Sequence, residues 1–188
     1  MTRSVLAFAG HRLVLDGGQE LELRAALDSV VDDLGPVSGH GSLAGGADVL
    51  WAEALVDRGV PLHVVLPFDL EPFLDASVAP SGPGWVPRAR ALVARAASVT
   101  VATPGPFRDD GQYALATERY QGRAIAEADD LGVPPVFAVV WDGSAASGAA
   151  GTGADVARWC AIEGEPVVVA PVGRRVRGSG TTNPGDGG

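Results

Sequence analysis

The sequence predicts an α/β domain of the Rossmann-like, doubly wound kind, with a mostly parallel sheet and helices on both faces. Three observations lead there. Short β-branched or apolar runs alternate with helical stretches of ten or more residues. The runs are apolar almost throughout, as in strands buried on both faces, rather than alternating apolar and polar. Several of them end in glycine-rich tips that lead into a helix, and in this architecture the strand tips are where ligands sit.

The elements follow in order. Residues 4–9 (SVLAFA) read as a first strand. Residues 19–34 carry apolar positions 21, 23, 26, 27, 30, 31 and 34, close to helical spacing, and Gly35-Pro36 stops them. Residues 37–43 are a second strand, 47–58 a helix closed by Gly59, and 61–66 (PLHVVL) a third strand. Residues 67–87, rich in proline and glycine, read as a long loop of the functional or mobile sort. A short helix at 88–97 and a fourth strand at 98–102 follow, then a helix at 113–131 and a fifth strand at 135–141. After a small-residue loop come a helix at 154–163 and a sixth strand at 166–170. The expectation is one domain over residues 1–172, with 173–188 as a disordered arginine and glycine tail.

Composition narrows the function. The chain has 188 residues, 46% hydrophobic and 20% charged, as a globular domain requires. A net charge of −9 argues against a polynucleotide partner, which needs a positive surface, but leaves room for a small nucleotide. All 14 basic residues are arginine, so a Walker-type phosphate loop and a lysine Schiff base are excluded. No apolar stretch reaches the roughly 18–20 residues that cross a bilayer, and the N-terminus runs straight into a strand rather than reading as a signal peptide. A single cysteine, Cys160, points to the cytoplasm. The three histidines lack metal-ligand spacing in sequence, and neither a metal nor a cofactor is expected.

Four tips carry the candidate site. Gly10-His11-Arg12 offers a backbone that a ligand can approach and a guanidinium fork for phosphate or carboxylate. Ser42, Gly45 and Gly46 precede a helix whose first turn holds Asp48, either a helix-start acid or a partner for a ribose hydroxyl. Pro67 and Phe68 open the long loop, which also holds Phe73, expected to plug the core, and Ser77; Trp85 is a possible base platform there. Asp142 follows the fifth strand, and Gly151, Thr152 and Gly153 precede Asp155 at the start of another helix.

The stretches AGHR, LAGGADVLWAEALVDRGVPLHVVLPF with FLDASV, and VVWDG…GTGADVARW resemble the SLOG (SMF/DprA–LOG) superfamily, over residues 4 to about 171. That superfamily includes the Lonely Guy phosphoribohydrolases, the DNA-uptake protein DprA and sensor domains of prokaryotic immune and signalling systems. The resemblance implies a Rossmann-like domain that senses or sequesters a nucleotide or nucleotide-derived signal. Its alternative is hydrolysis of a nucleotide's N-glycosidic bond. The enzymatic branch has a Pro-Gly-Gly-x-Gly-Thr-x-x-Glu pattern; here Ser147 replaces the proline, Ala149 a glycine, and Asp155 the glutamate. These departures favour binding over turnover. On the enzymatic reading Asp155 supports the developing charge at the ribose, and Arg119 or Arg123 stands for the branch's arginine. A third reading is an oligomeric scaffold with a vestigial pocket. The implied partners are a second copy of the chain or an effector protein, because no effector module is visible.

Overall fold

The structure, a computed structural model, describes residues 3–145 and 148–176. Strand β1 (Ser4–Gly10) is followed by a two-residue strand β2 (Leu13–Val14), helix α1 (Gly17–Leu34), β3 (Pro36–Gly41), α2 (Ala47–Val56) and β4 (Leu62–Leu66). A short helix α3 (Leu70–Phe73) leads to α4 (Trp85–Arg95), β5 (Ser98–Val101), α5 (Gly111–Leu131), β6 (Pro135–Val140), α6 (Thr152–Cys160), β7 (Val167–Val169) and β8 (Arg174–Arg175). Six strands form one sheet in the order β5-β4-β3-β1-β6-β7, every pair parallel. The chain winds outward from β1 through β3 and β4 to β5, then returns through α5 to β6 on the other side of β1. The order therefore switches between β1 and β6, and a Rossmann-like fold opens its ligand crevice at such a point.

Side chains alternate along β1, and each parity builds one core. Leu6 and Phe8 pack with Leu23, Leu27 and Leu50 under α1 and α2. Val5, Ala7 and Ala9 pack with Tyr120, Ala124, Phe137 and Trp159 under α5 and α6. Helix α1 begins two residues earlier than the spacing predicts, because Asp16 accepts from the Gln19 amide at 2.9 Å while Gln19 Oε1 accepts from the Asp16 amide at 3.1 Å. That reciprocal cap satisfies two amides that the helix leaves unpaired.

Two expectations are corrected. Segment 67–87 is not an open loop: α3 runs into a π-helical turn at Leu74–Val78 and a 3-10 turn at Ala79–Ser81, and α4 starts at Trp85. Phe73, Leu74 and Val78 are buried there, so the apolar residues outweigh the prolines, and Pro87 falls in a first turn where its missing N–H costs nothing. The ordered domain also passes residue 172. Arg174 and Arg175 pair antiparallel with Val14 and Leu13, and the rest of the expected tail, 177–188, lies outside the described residues.

Gly10 has a packing reason rather than a ligand one. A Cβ there would lie 2.5 Å from the Ala47 Cβ and 2.9 Å from the Val140 Cβ, so helix α2 docks on β1 only through a glycine. Gly10→Ala is expected to destabilise the fold by about 1–3 kcal/mol. A urea titration checks it, and an unchanged midpoint would mean that α2 yields without cost.

Candidate functional site

The tips of β1, β3 and β6 converge at the switch, joined by the starts of α2 and α6 and by the first half of α5. His11, directly after β1, is 5% exposed. Its Nε2 lies 3.0 Å from Asp142 Oδ1 beyond β6, and its Nδ1 lies 3.1 Å from the Thr152 hydroxyl at the start of α6. The tautomer that fits both contacts has Nε2–H donating to the carboxylate and Nδ1 accepting from threonine. Burial lowers the imidazole pKa against the opposing pull of Asp142, so the ring is held neutral. Asp142 itself is kept well below the usual carboxylate range, first by Ser144, with His11 and Arg175 adding to it. Arg175 of β8 donates to Asp142 Oδ2 at 2.7 Å, which straps the last described strand onto the site.

Two carboxyl groups beside this network behave differently. Asp48, in the first turn of α2, is 6% exposed, and burial pushes it up to about 8. Asp155 on α6 is lifted by burial to about 7 although the Thr117 hydroxyl donates to its Oδ1 at 2.9 Å. The charge of Asp155 adds to the rise at Asp48, so the two share one low-dielectric neighbourhood. Asp48 Oδ2 accepts from the Ala44 amide at 3.2 Å, whereas Oδ1 is buried with no partner. Ser42 Oγ, on the same tip, is also buried and unpartnered. Helix α5 contributes the buried residues Thr117, Tyr120 and Gln121, and Gln121 Nε2 donates to the Asp155 carbonyl at 3.1 Å.

The expected residues thus divide into two groups. His11, Asp142, Thr152, Asp48 and Asp155 gather at the switch, with Ser42 beside Asp48. Arg12 lies close enough to lower Asp48, and its Nη1 donates to the Ala76 carbonyl of the π-helical turn at 3.1 Å. Gly151, with φ +99°, and Gly153 open the start of α6, and the space beside Gly151 is empty. The rest depart from expectation. The Gly45 amide donates to the Ser77 carbonyl, and the Ala47 amide to the His11 carbonyl, so the start of α2 is no open anion cradle. A Cβ on Gly45 would strike Ser81 and one on Gly46 would strike Leu13, so both glycines are there for packing.

Pro67 is buried and its carbonyl accepts from Thr103. Phe68 is fully buried among Phe73, Phe107 and Tyr113, and cannot stack on a base without leaving the core. Ser77 is bonded to the Tyr113 hydroxyl at 2.8 Å, and Phe73 does plug the core. Trp85 is buried too, its ring covered by the Arg88 guanidinium at 4.2 Å. Arg119 is exposed and sits two residues, or about 200° of helical turn, from the Thr117 that meets Asp155. Arg123 donates to the Thr100 hydroxyl at 2.8 Å. Neither arginine belongs to the site. Ser147, the motif's first position, lies outside the described residues.

Thr117, Tyr120 and Gln121 escaped the sequence reading, although polar residues on the inward face of an otherwise Ala-rich helix were the available signal. Nor does the sequence signal that two of the histidines meet. His40 and His63 lie side by side, with Glu127 against His40.

No protein-family model matches the chain, and no match is found among the curated proteins. Among the described residues, no helix is long and apolar enough to cross a membrane.

Proposed function

We propose that the chain is a SLOG-type domain that binds a nucleotide or nucleotide-derived signalling ligand at the β1/β6 switch, for sensing or sequestration. The observation that carries this reading is the Asp48 carboxyl: buried at the strand edge, with one oxygen lacking a donor and the unpartnered Ser42 hydroxyl on the same tip. A buried carboxyl oxygen without a partner is costly, and a ribose hydroxyl, which both donates and accepts, supplies the missing hydrogen bond whether Asp48 holds its proton or not. Arg12 brings positive charge for a phosphate, and the open backbone at Gly151 leaves room at the start of α6. Entry requires the π-helical turn to shift, since Arg12 is bonded to it. That movement is what a second copy or an effector protein would read.

A second reading has its own support. Asp155 titrates near neutrality, at about 7, which suits a general acid or base in cleavage of an N-glycosidic bond. One experiment separates the two. The protein is melted with mononucleotides, NAD-derived molecules and cyclic or linear signalling nucleotides, and each mixture is then chromatographed. At about a hundred times its Kd a ligand adds roughly 2.7 kcal/mol of stability. A shift that Asp48→Ala removes, with the ligand recovered intact, supports binding. A free base in the eluate, abolished by Asp155→Asn, supports hydrolysis. No shift and no product across the panel overturns both.

A further inference from the structure

The opposite half of the sheet holds a second cluster that the proposed ligand site does not use. His40 on β3 and His63 on β4 are register partners on adjacent parallel strands, so their side chains leave the same face about 4.8 Å apart. The rings stack with centroids 4.7 Å apart and planes 18° from parallel. Helix α5 crosses this face and lowers Glu127 onto it, with Oε2 at 2.7 Å from His40 Nε2. One nitrogen of each imidazole and one carboxylate oxygen all lie within 4.8 Å of one another.

The surroundings are those of a metal centre rather than of a surface ion pair. Ser98, the register partner of His63 on β5, places its hydroxyl 2.8 Å from His63 Nδ1. A bond from the second ring nitrogen to a fixed neighbour is the usual way of aiming a ligating histidine, and it leaves Nε2 available. His40 is 4% exposed and its Nδ1 has no partner, so the ring's polar contact is made through Nε2 alone, toward Glu127. Glu127 remains one-third exposed, which gives an ion a path from solvent. The positive charge of Arg123, one turn earlier on α5, weighs against a cation, but its guanidinium is bonded to Thr100.

We propose that His40, His63 and Glu127 form a binding site for a divalent transition metal of the zinc class. Two imidazoles and a carboxylate match the donor preference of Zn2+, and three protein ligands leave one position open for water or a small ligand. The ion takes the place of the proton that joins His40 to Glu127. Tetrahedral spacing is about 3.3 Å between ligand atoms, so the 2.7 Å His40–Glu127 contact widens slightly and the two stacked imidazoles turn until their nitrogens converge on the ion. The ion would also pin β3, β4 and α5 together.

The test uses the full chain without a purification tag, which matters because it has three histidines and one cysteine. Zn2+ is titrated calorimetrically and Co2+ by visible absorption. One equivalent is expected to bind, with the Co2+ spectrum of a four-coordinate site. Glu127→Gln and His63→Gln are each expected to weaken binding at least tenfold, and Ser98→Ala roughly tenfold through the second ring nitrogen. His11→Gln, beyond the tip of β1, and Cys160→Ser should bind as the parent does. Melting curves without metal confirm that each variant folds. Absence of saturable binding overturns the proposal, as does binding that survives in both Glu127→Gln and His63→Gln.

Discussion

Raising the pH from 5.5 to 8.5 is expected to destabilise the folded protein, and Asp48→Asn is expected to remove most of that loss. An ordinary aspartate releases its proton near 3.8, whereas burial holds Asp48 at about 8 and Asp155 at about 7. Between those limits the folded chain keeps protons that the unfolded chain has given up. Folding is therefore favoured at the acidic end, and the advantage disappears as pH climbs through the folded values. Within this window the stretch from pH 5.5 up to the folded value of about 8 sets a ceiling of roughly 3–4 kcal/mol at Asp48, at 1.36 kcal/mol per unit. Rearrangement and water entry around a charged Asp48 will reduce it.

The opposite trend from carboxylates such as Asp142, held below their usual range, acts at the acidic end and outside this window, whereas His11 and His40, held below 6.5, add stability as pH rises toward 6.5 and offset part of the loss in parent and variant alike. Urea titrations at three pH values read the effect directly. A parent and an Asp48→Asn variant that lose stability in parallel would show that Asp48 is not the buried acid described here. Asparagine keeps a donor and an acceptor in place, so Asp48→Asn tests the electrostatics and Asp48→Ala the recognition.

Phe68→Ala is expected to cost about 3–5 kcal/mol of stability, the range for deleting a buried aromatic ring. Its ring centroid lies 5.5 Å from those of Phe107 and Tyr113 and 6.0 Å from that of Phe73. The cluster joins the end of β4, helix α3, the loop after β5 and the start of α5. Phe68→Leu keeps most of the volume and should cost less than about 1.5 kcal/mol. Were Phe68 a stacking platform for a base, the order would reverse: alanine would be tolerated in the free protein, and leucine would abolish ligand binding while the melting temperature held. Denaturation and ligand titration of the two variants distinguish these outcomes.

The strands and most helices were readable because their information is local. A run such as SVLAFA or PVFAVV has no helical stripe; Gly10 closes the first, and Pro134 precedes the second. The two-residue strands β2 and β8 were invisible for the converse reason, since two residues carry no period. Segment 67–87 misled because proline and glycine signal a loop, whereas Phe73, Leu74 and Val78 are spaced for burial under a turn wider than an α-helix. Convergence of the strand tips followed from the parallel sheet itself. Which tip residues serve packing and which face the crevice did not: the roles of Gly10, Gly45 and Gly46 depend on how closely α2 and the π-helical turn approach. The meeting of Thr117 with Asp155, and of His40 with His63, depends on helix placement and strand register, neither of which a single chain segment encodes.

The β2–β8 ribbon gives the C-terminal end of the described chain an unusual address. Val176 donates its amide to the carbonyl of Arg12, and Arg175 grips the same aspartate that orients His11. Val176 therefore lies at the rim of the proposed ligand crevice. A reporter dye joined there would sit within reach of an arriving ligand, while a bulky fusion partner would crowd the doorway. For handling this protein, the N-terminal side of the chain is the safer place for a label meant to be silent, and the C-terminal side for one meant to report.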